Sequence, residues 1–106
     1  MDINRLFNID GKTALITGGS RGIGEMIAAG FLANGVKVYI TARKEAPLIE
    51  KAKELSEKFN GECIAIPCDL SNMEGIQKLA SDYLNHEDSL DILVNNAGAA
   101  WGEPYE

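Results

Sequence analysis

A chain of 106 residues has room for one domain. With 45% hydrophobic and 25% charged residues, and apolar runs only a handful long, it reads as an ordinary globular protein without a bilayer-spanning segment. Its net charge of −6 argues against nucleic acid as a partner, and Asp2, Asn4 and Asn8 interrupt any apolar stretch of a secretory signal, so a cytoplasmic location is expected.

In chain order, residues 12–17 (KTALIT) are a short, mostly apolar run that ends in a glycine cluster, and a strand is expected there. Residues 22–34 carry Ile23, Met26, Ile27, Phe31 and Leu32 at helical spacing, with Gly35 as the C-terminal cap. Residues 37–41 (KVYIT) are β-branched and aromatic, which suits a second strand. Over residues 45–60, Leu48, Ile49, Ala52, Leu55 and Phe59 share one helical face, and Asn60-Gly61 breaks the helix. Residues 62–67 read as a third strand. Residues 72–85 read as a third helix, with Met73, Ile76, Leu79, Ala80, Tyr83 and Leu84 on its inner stripe. Residues 90–94 (LDILV) close the series as a fourth strand.

Strands joined by helical connections of about a dozen residues or more run parallel, with right-handed crossovers. The expected fold class is therefore α/β, a doubly wound parallel sheet. Open ligand-binding sheets of this kind usually hold about six strands in two halves. Only the first half and one strand beyond it are expected here, so the chain is read as roughly half of a natural protein. The fourth strand, apolar enough to be buried on both faces, would then lie at an edge.

Cys63 and Cys68 sit five residues apart in the stretch CIAIPC, which reads as extended. Odd spacing puts them on opposite faces, roughly 16 Å apart at the rise of a strand. A disulfide needs Cα atoms within about 7 Å, so the two cannot pair with each other. With no CxxC motif and a single histidine, a metal site is not expected. That histidine, His86, lies beside Glu87 and Asp88 at the polar end of a helix and should be solvated.

Charge is unevenly spread. Residues 1–44 carry six Lys/Arg against three Asp/Glu, and residues 45–106 carry four against thirteen. The positive segment contains the glycine-rich stretch 17–24 (TGGSRGIG) between the first strand and the first helix. An open α/β sheet binds phosphate at that place. Helix N-terminal amides and the macrodipole attract the anion, and glycines let the backbone approach it. Gly18 permits the tight turn, Gly22 the close approach, and Gly24 the packing of helix on sheet. No Gly-Lys-Ser/Thr closes the segment, which excludes a P-loop.

The spacing Gly-x3-Gly-x-Gly resembles the fingerprint of the short-chain dehydrogenase/reductase family. Asn95-Asn96-Ala97-Gly98 after the fourth strand and Asp69-Leu70 after the third agree with it. The resemblance implies a Rossmann fold, of which residues 1–106 would be the N-terminal part of a single NAD(P)-binding domain with its first four strands and three helices. It implies that Gly18, Ser20, Arg21, Gly22, Ile23 and Gly24 line the pyrophosphate and the adenosine ribose. Asp69 and Leu70 would flank the adenine, although Asp69 also suits a helix-start turn before Ser71. Asn95, Ala97 and Gly98 would border the ribose on the nicotinamide side, while Asn96 ties the fourth strand to its neighbours.

NAD enzymes usually end the second strand with an acid that bonds the adenosine ribose hydroxyls. Here no acid occurs before Glu45, and Arg43 follows the strand instead. In the family, basic residues at the positions of Arg43 and Arg21 mark NADP binding, and guanidinium groups bond phosphate bidentately. NADP(H) is therefore expected over NAD(H).

The family reduces carbonyls or oxidises alcohols, using a Tyr-x3-Lys segment and an upstream Ser. No Tyr here has Lys four residues later, so no catalytic residue is assigned and the fragment alone is expected to be inactive. Trp101 follows the Asn-Asn-Ala-Gly turn, where it either lines an apolar substrate channel or is packed or exposed in a variable loop. Among family branches the segment looks most like bacterial 3-oxoacyl-thioester reductases. The implied activity is NADPH-dependent reduction of a small carbonyl substrate by a full-length homo-oligomer; a non-catalytic NADP-binding or redox-sensing module is the alternative.

Overall fold

The computed structural model describes residues 9–18 and 22–96. The chain alternates strand β1 (Thr13–Thr17), helix α1 (Gly22–Ala33), β2 (Lys37–Ala42), α2 (Glu45–Phe59), β3 (Cys63–Pro67), α3 (Met73–Leu84) and β4 (Ile92–Asn95). The strands form one parallel sheet in the order β3-β2-β1-β4. Walking outward from β1 to β2 to β3 with right-handed crossovers puts α1 and α2 on one face. The return from β3 across to β4 reverses direction, so α3 falls on the other face. This is the first part of a Rossmann-type doubly wound sheet, as expected, and its switch point lies between β1 and β4.

Side chains alternate across the strands, so each face has its own core. Under α1 and α2 lie Ala14, Ile16, Val38, Ile40 and Cys63, packed against Ala28, Leu32, Leu48, Ala52 and Leu55. Under α3 lie Leu15, Tyr39, Ile66 and Cys68, packed against Leu79 and Tyr83. Cys63 and Cys68 are buried, unpaired thiols on opposite faces, as their odd spacing requires. Burial pushes the Cys63 thiol up to about 12 and raises that of Cys68 as well.

The helices correct the expected inner stripes. In α1 the buried residues are Gly24, Ala28 and Leu32, whereas Ile23 and Met26 are 65% and 72% exposed. The cause is steric. A helix settles on a sheet by its smallest side chains, which bring the two backbones together, and in the almost wholly apolar α1 periodicity alone cannot choose the face. In α2, Leu48, Ala52 and Leu55 are buried and Phe59 is half-buried, but Ile49 turns outward. In α3 only Leu79 and Tyr83 are buried, while Met73, Ile76, Ala80 and Leu84 are exposed. That helix covers the β2 and β3 side of its face, leaving Leu93 of β4 61% exposed. Strand ends differ slightly from expectation: Lys12, Glu62, Leu90 and Asp91 fall outside the strands, and Ala42 and Asn95 fall inside.

Helix ends follow local chemistry. Asn60 takes the left-handed conformation (φ 51°) that ends α2, and Ser56 Oγ accepts the Cys63 amide at 2.9 Å, docking the helix on β3. Asn72 Oδ1 caps α3 by accepting the Gly75 amide at 2.7 Å. At the other end of α3, His86 is exposed, and its Nδ1–H donates to the Asp82 carbonyl at 2.9 Å.

A polar staple holds the edge of the sheet where the strands begin. The buried Tyr39 hydroxyl donates to Glu87 Oε2 at 2.5 Å, and Lys37 Nζ meets the same oxygen at 2.7 Å. Burial, then the bond to Glu87, pushes the Tyr39 phenol up to about 12. Nearby, the Tyr83 hydroxyl donates to the Ser89 carbonyl at 2.6 Å, and the Thr13 amide donates to Asp91 Oδ2 at 2.9 Å. The segment between α3 and β4 is thereby pinned to the starts of β1 and β2.

Two outcomes follow. Leu48→Ala should cost about 2–4 kcal/mol in urea unfolding through lost burial and a cavity, whereas Met26→Ala should change stability by less than about 0.5 kcal/mol. The Lys37 ammonium, then the Tyr39 hydroxyl, hold the Glu87 carboxyl below its ordinary 4.5. A depressed folded-state pKa adds stability above the unfolded value and loses it as pH falls through the folded value. Glu87→Gln should therefore be less stable than the parent near neutrality but lose less stability in acid; urea midpoints at about pH 6 and about pH 3 measure this.

Candidate functional site

Parallel register carries the C-terminal ends of all four strands to one edge. Thr17 stands opposite Thr41 on one side and Asn95 on the other, and Ala42 stands opposite Pro67. The residues that follow these positions are those singled out in the sequence. In open sheets this edge is where ligands bind.

Gly18 leaves β1 with φ 70°, a conformation that glycine adopts without steric cost. Its amide donates to the Thr41 carbonyl at 2.9 Å, and its own carbonyl accepts from Asn96 Nδ2 at 3.2 Å. The end of β1 is thus tied to both neighbouring strands, and Asn96 makes the inter-strand tie that the sequence suggested. Thr17 Oγ1 adds a bond to Asn95 Oδ1 at 3.1 Å.

Gly22 opens α1 with φ 63°, and among the described residues a methyl group there would meet nothing within 4 Å. Gly22 and Ile23 are exposed, while Gly24 is buried against the sheet. Amides of a first helical turn have no acceptor within the helix, and they carry the positive end of its dipole. Glu25 is the one acid in that turn. Its carboxylate pairs with Lys51 of α2 at 3.1 Å, which offsets its charge.

Arg43 follows β2 and is exposed. Asp69 lies two residues past β3, where its Oδ1 accepts the Ser71 amide at 2.9 Å. Hydrogen bonds from Ser71 hold its carboxyl below the ordinary range, and the positive charge of Arg43 adds to the effect. The two charged side chains therefore share one neighbourhood at the carboxyl edge. Leu70 is half-buried against the core under α3. Ser20, Arg21, Ala97 and Gly98 of the expected site, and Trp101, lie outside the described residues. Sequence reasoning did not anticipate the Thr41 carbonyl or the Thr17 hydroxyl as supports of the edge. Backbone acceptors leave no residue signature, and a threonine ending a strand is too common to stand out. Among the described residues, no three His, Cys, Asp or Glu side chains are grouped to hold a metal ion, and no helix is long and apolar enough to cross a membrane.

Residues 12–106 match the family model described as short chain dehydrogenase. The chain belongs to the short-chain dehydrogenase family. It is 48% identical over 100 residues to the rhamnolipids biosynthesis 3-oxoacyl-[acyl-carrier-protein] reductase of Pseudomonas aeruginosa, covering 94% of this chain and 38% of that protein. The fold matches the Pseudomonas aeruginosa RhlG/NADP active-site complex with a TM-score of 0.80 at 48% identity, over 85% of this chain and 36% of that one. It also matches the L-sorbose reductase of Gluconobacter frateurii complexed with NADPH and L-sorbose, with a TM-score of 0.77 at 36% identity, over 81% and 33% of the two chains. This short-chain dehydrogenase sequence thus spans under two-fifths of the length of these relatives.

Removing the tie between β4 and the glycine turn should be measurable. Asn96→Ala loses one side-chain bond to Gly18, so urea unfolding should show a loss of about 1 kcal/mol.

Proposed function

We propose that the carboxyl edge holds NADP(H) and that the intact protein is an NADPH-dependent reductase of a small carbonyl compound. The observation that carries this is the end of β2: Arg43 stands exposed there, and no acid lies between the start of that strand and Glu45. A ribose bearing a 2′-phosphate suits that strand end. The guanidinium meets the phosphate, and no carboxylate on β2 repels it.

The backbone supports the same reading. No described side chain would meet a methyl on Gly22 within 4 Å at the start of α1, which supports a pyrophosphate on the first-turn amides. In this reading Gly18, Ser20, Arg21, Gly22, Ile23 and Gly24 cradle the pyrophosphate and adenosine ribose, and Arg21 and Arg43 are the basic residues that favour a 2′-phosphate. Asp69 and Leu70 border the adenine. Asn95, Ala97 and Gly98 border the far ribose. When bound, the dinucleotide supplies a hydride to a carbonyl carbon; the residues named here bind and orient it, and none of residues 1–106 is assigned to proton transfer.

For the substrate class, a 3-oxoacyl thioester is the first candidate, because a relative that covers most of this chain at 48% identity is named for that reaction. A cytoplasmic homo-oligomer belongs to the same reading. Fluorescence titration of the intact protein with NADPH and NADH tests the cofactor. NADPH should bind more tightly, and a preference for NADH would overturn the proposal. Arg43→Asp should weaken NADPH by about 2 kcal/mol or more while sparing NADH, since hydrogen bonds to charged groups contribute about that much. Oxidation of NADPH on addition of a 3-oxoacyl thioester tests the substrate.

A further inference from the structure

The structure assigns to Gly75 a positioning role: the absence of its side chain lets the Asp69 backbone rest on the first turn of α3, and that contact sets the adenine edge of the cleft. The inference rests on the nucleotide reading above and extends it to a residue outside the family fingerprint.

Gly75 is the third residue of α3, and its amide is held by Asn72 Oδ1 at 2.7 Å. A methyl group built on Gly75 would collide with the Asp69 carbonyl oxygen and lie 2.7 Å from the carbonyl carbon. Both are backbone atoms, so no side chain can swing aside to relieve the collision. Gly75 does not take a positive φ, which makes its requirement one of space alone.

The loop has few other ways to yield. Asn72 is fixed by its cap, and its carbonyl accepts the Ile76 amide at 3.3 Å. Leu70 is packed into the core under α3, and Cys68 is held to β2 by its amide bond to the Ala42 carbonyl at 3.0 Å. Strain from a Cβ at position 75 would therefore fall on Asp69, which lies between these anchors. Asp69 would shift relative to Arg43, and with it the edge that borders the adenine. Gly18 acts by conformation and Gly22 by conformation and open approach, so the demand at position 75 is of a different kind.

The test uses the intact protein with two half-ligands. Adenosine 2′,5′-bisphosphate carries the adenine and 2′-phosphate, and nicotinamide mononucleotide carries the other half. Gly75→Ala should raise the Kd for the bisphosphate about tenfold, since small misplacements of binding groups are costly, and leave that for the mononucleotide unchanged. Gly30→Ala, where a methyl meets nothing within 4 Å, should leave both unchanged. Parental affinity for the bisphosphate in Gly75→Ala would overturn the role of Gly75 alone, and so would an equal loss for both half-ligands. If Gly75→Ala does not fold, Asp69→Ala takes its place. It should weaken the bisphosphate selectively, and unchanged affinity would overturn the proposal. A parent protein that binds neither the bisphosphate nor NADPH would remove the nucleotide reading itself.

Discussion

The backbone of Gly18 is held from both sides, by the Thr41 carbonyl of β2 and by the Asn96 side chain after β4. These two bonds fasten together three neighbouring strands where the chain leaves β1 for the glycine stretch. A residue with a Cβ would resist the positive φ at this point. The exit from β1 then cannot lie where both neighbours reach it. The start of α1, and the first-turn amides it presents, depend on that exit. A phosphate site in this fold is thus as much a property of strand alignment as of the glycines that line it.

Electrostatics are arranged on the same edge with few charges. An acidic chain would be expected to repel an anion, yet the one carboxylate in the first turn of α1 is paired with Lys51. Much of the remaining acidity lies on the outer faces of α2 and α3, where water screens it. At the end of β2 Arg43 is exposed, and its positive charge adds to the Ser71 bonds that hold the Asp69 carboxyl below the ordinary range. Local arrangement, more than net charge, decides which ligand such an edge can take.

The alternation of strands and helices was legible from the sequence because β-branched runs and capping residues such as Asn60 and Asn72 act locally. Parallel strands and right-handed crossovers followed from connection length. The faces of the helices were less legible. In α1, eleven of twelve residues are apolar or glycine, so the pattern does not phase the helix, and close approach of Gly24 and Ala28 decides it. In α3 the apolar stripe is wider than the surface it covers, which leaves Met73, Ile76 and Leu84 outside. The polar staple of Tyr39, Glu87 and Lys37 was also invisible, because Glu87 lies far in sequence from the other two and none belongs to a motif. For the site, the glycines and Arg43 could be read from their places at element ends. The close fit of Gly75 to Asp69 could not, since it is a contact between backbones.

The two buried thiols stand on opposite sides of a single sheet, one beneath α1 and α2 and the other beneath α3. A thiol-alkylating reagent would therefore meet each sulfur only when a different helical layer lifts. The protein carries a built-in pair of reporters, one for each layer, that can tell opening of one side from opening of the other without any added label.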